Sequence, residues 1–258
     1  MYTSIVYVPD PKILRLRRIL SRRCHFVKIS STQVHAAKAL LRARGLGQEV
    51  TLLQSLSAWQ RMLQHASLRP LRRHLGMHTE MWRLARENVD HLEEELTKAL
   101  KPFEEPMSLL QTTPGVGLIT AATFIAVLGT PERFPDSGRV VSYIGLVPSS
   151  WDTGEQQRHG HITKRGSAEL RRVLCEAAHH ASRVRHPLNP YFKRVCATPG
   201  YKKAAVAIAQ RLARILYRMW LDGEAFDANK LNVVPGKRVC RRVMHWQIRK
   251  PGEEVIAA

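Results

Sequence analysis

Behind Pro9 and Pro11, apolar residues return at helical spacing: Leu14, Leu16, Ile19, Leu20 and Val27, then Leu40 and Leu41. Arginines 15, 17, 18, 22 and 23 fill the gaps. The pattern predicts one long basic helix that stops at Gly45-Leu46-Gly47, since glycine readily takes the left-handed conformation that closes a helix. Leu52, Leu53, Leu56, Trp59 and Leu63 fit a second apolar face, which Pro70 interrupts. From Leu71 to Leu100 the steps are again three and four, through Leu75, Met81, Trp82, Leu84, Val89, Leu92 and Leu96. This is a long amphipathic helix of coiled-coil type, with Glu93-Glu94-Glu95 on its solvated side. Pro102 and Pro106 are expected to end it and to mark a domain boundary. A last clear helix spans residues 199–221, opened by Pro199-Gly200. Its apolar stripe includes Ala205, Ile208, Ala209, Leu212, Ile215, Leu216 and Met219, and Arg211, Arg214 and Arg218 share an adjacent face. The sequence shows no strand-rich block and no repeat. The expected fold is all-α or mainly α: linker helices over 1–101, a compact helical domain over 107–227, and a basic tail over 228–258.

Composition changes this picture in one respect. A chain of 258 residues with 44% hydrophobic content can bury a core. Its charge is unusual: 41 Lys and Arg stand against 21 acidic residues, a formal net charge of +20. Such a field points to a polyanionic partner, DNA or RNA first. No apolar run reaches the roughly 18 residues of a membrane span, so no membrane partner is expected. The arginine-studded start is not a secretory signal, and a cytoplasmic, nucleoid-associated protein is expected. Cys24, Cys175, Cys196 and Cys240 lie at no metal-ligand spacing and read as reduced thiols. His159-Gly160-His161 and His179-His180 lack a nearby Cys or carboxylate cluster, so no metal site is assigned to them.

The candidate chemistry lies between residues 107 and 186. Thr112-Thr113-Pro114-Gly115-Val116-Gly117 sits between two helical stretches in a helix-hairpin-helix pattern. Gly115 and Gly117 permit a tight turn and expose backbone N–H groups at a helix N-terminus, where a DNA phosphate fits without base readout. Downstream, Ser142-Tyr143-Ile144-Gly145-Leu146-Val147-Pro148 ends a helix that Gly145 can cap. Trp151-Asp152-Thr153-Gly154 then form a polar loop with a hydroxyl and a carboxylate. Arg158, Lys164 and Arg165 follow as cations suited to a phosphate, and Ser167 is the N-cap of a helix carrying Arg171 and Arg172. On residue chemistry alone, Thr153 reads as a loop threonine bonded to local backbone.

The ordered string Pro114-Gly115-Val116-Gly117, Arg133-Phe134, Tyr143-Ile144-Gly145-Leu146-Val147-Pro148, Thr153-Gly154, Lys164-Arg165-Gly166 and Leu170-Arg171-Arg172 resembles the C-terminal domain of the DEDD-type, bridge-RNA-guided insertion-sequence transposases. The likeness extends over roughly residues 8–228, from Val8-Pro9 to Gly223, Phe226 and Asp227. In that family a serine before glycine attacks a DNA phosphodiester, and an N-terminal RuvC-like domain supplies the acidic residues that hold divalent metal. The resemblance therefore implies DNA strand exchange in transposition, with Thr153 at the nucleophile position and Asp152 as its neighbour. It places Gly115, Gly117, Arg158, Lys164, Arg165, Arg171 and Arg172 at the nucleic acid. It implies DNA, a structured guide RNA and a second copy of the chain as partners. Magnesium is expected only with the RuvC-like domain, which has no counterpart in the sequence. The sequence departs from the family at Thr153, where serine is usual, and in its longer tail. A truncated form, a subunit of a split enzyme, or an inactive DNA- or RNA-binding remnant is the expectation these departures raise.

Overall fold

The computed structural model describes residues 7–46, 53–153, 156–198 and 200–231, with the side chains of 150–159 outside that description. The protein is mainly α-helical, as expected, and divides into two compact units, residues 1–102 and 103–258.

The first unit is built on α1 (Pro11–Ala43), α2 (Leu56–Gln64) and α3 (Arg72–Ala99). Asp10 caps α1 by accepting from the Lys12 N–H at 2.7 Å. The helix closes where the sequence places its stop: Gly45 has φ +74 and the Leu46 N–H returns to the Leu41 carbonyl at 3.1 Å. Cross-links between α1 and α3 descend along one helix as they ascend along the other. Arg15 pairs with Glu95 at 3.4 Å, Arg23 with Glu93 at 2.7 Å, and Gln33 with His78 at 2.7 Å. The two helices are therefore antiparallel. At their far end Ala37, Leu41, Leu53, Leu68 and Leu75 surround Trp59 and Trp82, whose rings lie 5.6 Å apart. Pro70 sits in a 3-10 turn (Ala66–Leu71) that separates α2 from α3, the interruption the sequence predicts.

The second unit contains α4 (Glu104–Gln111), α5 (Leu118–Leu128), α6 (Ser137–Ile144), strands β1 (Pro148–Thr153) and β2 (Gln156–Ile162), then α7 (Ala168–His179), α8 (Asn189–Cys196) and α9 (Tyr201–Asp222). Pro106 is a correction to the sequence expectation. It falls in the first turn of α4, where a missing N–H costs nothing, and so opens a helix instead of ending one. α5 is apolar on every side and nearly all buried. α9 packs against α4, α6, α7 and α8 and buries Ile208, Leu212, Leu216 and Tyr217. The Tyr217 hydroxyl donates to the Phe134 carbonyl at 2.7 Å, which satisfies a polar tip inside that core. The polar loop expected around Thr153 is instead an antiparallel hairpin, β1 with β2, whose register includes Trp151 opposite Arg158 and Thr153 opposite Gln156. Ala228–Lys230 form one 3-10 turn, and the basic cluster Lys237, Arg238, Arg241 and Arg242 lies outside the described residues.

Candidate nucleic-acid interface

The hairpin is rooted where two chain segments cross. Gly145 ends α6 at φ +78, and the Leu146 N–H bonds back to the Val141 carbonyl at 3.1 Å. A Cβ on Gly145 would collide with the Arg165 carbonyl oxygen and fall 2.6 Å from the Arg165 nitrogen. Gly166, at φ +100, faces the other way across the crossing, where a Cβ would collide with the Tyr143 carbonyl oxygen. Two glycines thus let the end of α6 and the lead into α7 touch backbone to backbone. The Lys164 N–H donates to the Gly145 carbonyl at 3.2 Å, and the Thr163 N–H to Val147 at 2.9 Å. Lys164 itself holds φ +55, a strained conformation for a residue with a side chain. Arg171 closes the joint, its guanidinium donating to the carbonyls of Ile144 at 2.9 Å and Gly166 at 3.2 Å.

This arrangement sorts the residues proposed from sequence. Thr153 ends β1 at the hairpin tip, Asp152 pairs with Gln157 one step back, and Arg158 pairs with Trp151 on β2. Lys164 and Arg165 are exposed at the hairpin base. Arg171 is spent on the crossing. Arg172 lies between Glu169 at 2.5 Å and Glu176 at 2.6 Å, on its own helix. Its pKa is raised, chiefly by the hydrogen bond to Glu169. With its charge matched by two carboxylates, Arg172 adds little to a phosphate site.

The α4–α5 turn lies at the opposite end of α7. Gly115, φ +84, rests against the end of that helix, where a Cβ would come 3.0 Å from the Ala177 carbonyl oxygen and 3.1 Å from His180. Gly117 has open space at the same test, and no side chain caps the first turn of α5. Gly115 therefore serves packing, while Gly117 leaves the donors of α5 open. From Gly166 to Ala177 is eleven residues, about 16 Å along a helix. The two sets of residues read from the sequence thus lie at opposite ends of α7.

Sequence inspection missed His186, which is 9% exposed. Its Nε2–H donates to the Pro114 carbonyl at 3.1 Å, and its Nδ1 accepts from the Leu188 N–H at 3.1 Å. One ring nitrogen donates and the other accepts, so the imidazole that clamps the α4–α5 turn is neutral. Burial pushes its pKa below the ordinary 6.5; the bond to Pro114 opposes the shift and His180 adds to it. A depressed histidine pKa favours the folded state above the unfolded value, and that stability is lost as pH falls below it. Between pH 7.5 and 5 the urea midpoint should fall further in the wild type than in His186→Gln. Equal losses would show that the clamp does not titrate. Arg133 was seen only as part of a motif. Its guanidinium lies 4.6 Å from the Tyr143 ring centre and 5.0 Å from that of Phe134, and donates to the Leu128 carbonyl at 3.3 Å, tying α5 to α6.

Burial raises the Cys175 thiol, opposed by Arg171, which keeps it protonated. Among the described residues no group of three or more His, Cys, Asp and Glu could hold a metal ion. No helix among them is long and apolar enough to cross a membrane.

Residues 107–193, which hold the crossing, the hairpin and the α4–α5 turn, match the family model of the transposase IS116/IS110/IS902 family. The chain is 31% identical over 146 residues to the transposase for insertion sequence element IS1111A of Coxiella burnetii, covering 54% of this chain and 39% of that one. It is 30% identical over 149 residues to the transposase for insertion sequence element IS1328 of Yersinia enterocolitica, covering 55% and 43%. A 43.6 kDa protein of insertion element IS110 from Streptomyces coelicolor is 26% identical over 125 residues, covering 48% and 31%. The aligned part thus spans about a third to two fifths of the length of these relatives.

Proposed function

We propose that this chain handles DNA in the transposition of an insertion sequence and that Thr153 is the hydroxyl that joins transiently to a DNA strand. The observation that carries this reading is the glycine crossing. It roots the hairpin on a fixed base, with Thr153 at the tip and the exposed cations Lys164 and Arg165 beside the root. The threonine oxygen attacks phosphorus and forms a phosphothreonine ester, releasing its proton to solvent. The expelled deoxyribose oxygen takes up a proton. A hydroxyl of a second strand then displaces threonine and restores a phosphodiester, with no net hydrolysis. Lys164 and Arg165 neutralise phosphate, and the open first turn of α5 takes another phosphate farther along the duplex. Asp152 precedes Thr153 on β1 and would be the neighbouring carboxylate in this reading. The divalent metal would be held by carboxylates outside the described residues, on this polypeptide or on a partner. A structured guide RNA is a second polyanion that the net charge of +20 suits.

Threonine carries an extra methyl that stiffens χ1 and crowds an incoming phosphate. With a metal-bearing nuclease domain present, Thr153→Ser should raise the yield of covalent protein–DNA adduct on a denaturing gel several-fold, and Thr153→Ala should abolish it. Adduct formation by the alanine variant would remove Thr153 from the reaction. No adduct from any variant would favour a chain that grips DNA or RNA without chemistry.

We further propose that two copies of the chain pair through α3. Met77, Met81 and Leu84, at steps of four and three, are 63%, 48% and 52% exposed on that helix. A stripe of large apolar residues at this spacing is the seam a second helix covers. Light scattering should show a dimer at micromolar concentration that Met81→Glu converts to monomer. A wild-type monomer at those concentrations would sink the pairing.

A further inference from the structure

A second place in the 103–258 unit has the chemistry of a nucleic-acid site, and none of its lining residues belongs to the hairpin, the crossing or the α4–α5 turn. A cavity of about 430 Å³ opens between Tyr191 of α8, the last turns of α9 and the segment that follows α9. We propose that it takes one unpaired nucleotide of a single-stranded nucleic acid, the base entering the cavity and the phosphates lying on Arg211 and Arg214.

The cavity combines flat surfaces with uncompensated positive charge. The Arg211 guanidinium lies over the Tyr191 ring, 4.7 Å from its centre, and Arg194 approaches the same ring at 5.1 Å. Planar cationic and aromatic faces of this kind are platforms on which unpaired bases stack. Ile215 and the buried Met219 add apolar surface. On the side formed by the segment after α9, the Phe226 N–H donates to the Thr112 hydroxyl at 3.0 Å, which holds that wall.

The charges at the rim balance only in part. Asp222 pairs with Arg218 at 3.3 Å, Glu224 pairs with Lys230, and Asp227 accepts from the Asn229 N–H at 2.8 Å. Each carboxylate is thus engaged within the wall. Arg211 and Arg214 have no carboxylate partner among the described residues. They stand three residues apart on α9, so their side chains are neighbours on one helix face. Arg218, 63% exposed, continues that face along the cavity rim, where it pairs with Asp222. A lone nucleotide would need only the first two arginines, whereas a strand uses the whole row. A base within a duplex is stacked on both faces and cannot enter.

The test uses the full chain and two fluorescent probes, an unstructured twelve-nucleotide strand and a blunt duplex of the same length. Arg211→Gln with Arg214→Gln should weaken binding of the single strand about tenfold and change duplex binding less than twofold. Lys164→Ala with Arg165→Ala should instead weaken the duplex, so failure of the hairpin site and failure of this pocket are separable. A strand carrying 5-iodouridine, irradiated on the wild type, should cross-link to the peptide that contains Tyr191. Equal loss on both probes, or no loss on either, overturns the proposal. Full displacement of the strand by a millimolar nucleoside monophosphate overturns it in favour of a small-molecule site. Tyr191→Leu adds a stacking variant. Should it fail to fold, the arginine pair and the cross-link still decide.

Discussion

Gly145→Ala should destabilise the 103–258 unit by about 2–5 kcal/mol, the sum of a left-handed conformation forced on alanine and overpacking against a neighbour. The collision is with the backbone of Arg165, which has no rotamer to yield and is held in place by the Lys164 N–H and by Arg171. A loss of that size is a large fraction of the roughly 5–15 kcal/mol that keeps a typical domain folded. Gly166→Ala should behave alike, because its Cβ meets the Tyr143 carbonyl from the other side. The urea midpoint measures both. The open site Gly117 is the control: Gly117→Ala should change the midpoint far less, since nothing lies within 4 Å of its added carbon. Similar losses at 145 and 117 would mean that the crossing does not limit stability.

Lys164→Ala with Arg165→Ala should leave that midpoint nearly unchanged and lower affinity for duplex DNA about 50-fold at 0.1 M salt. Each cation that neutralises a phosphate contributes about 0.9 to the slope of log K against log salt, so the slope should shrink by about 1.8. Both side chains are exposed, so little packing is lost. A weaker complex with an unchanged slope would mean that these residues position the hairpin without touching phosphate. Unchanged affinity would detach the hairpin base from DNA altogether.

Much of the helical frame was legible because its signals are local. Ser167 caps α7 by accepting from the Leu170 N–H at 3.2 Å, Gly145 closes α6, and Gly200 opens α9. The hairpin was not legible. Trp151-Asp152-Thr153-Gly154-Glu155-Gln156-Gln157 lacks the apolar alternation of a half-buried strand, and its pairing is held at the root by contacts from α6. α8 was passed over as well, being eight residues long with Pro190 in its first turn. Arg171 and Arg172 show why charge alone misleads. Glu169 and Glu176, three and four residues from Arg172, were a readable sign of an ion pair, but nothing in the sequence told that Arg171 reaches the Ile144 carbonyl. The bond from His186 to Pro114 spans 72 residues and carries no periodic trace. Thr153 entered through resemblance alone; its own neighbourhood in the sequence describes an ordinary threonine.

The crossing of α6 with the lead into α7 also bears on how such a sequence can drift. Gly145 and Gly166 occupy opposite sides of one backbone contact, so a side chain gained at either forces the two segments apart. Each also keeps a positive φ that favours glycine, so a change at one position does not by itself free the other. The stretch they enclose, from Pro148 to Ile162, hangs from that knot by its ends. Substitution and changes of length are cheapest in such a connecting stretch, and there a lineage can exchange one hydroxyl residue for another while the scaffold beneath stays as it was.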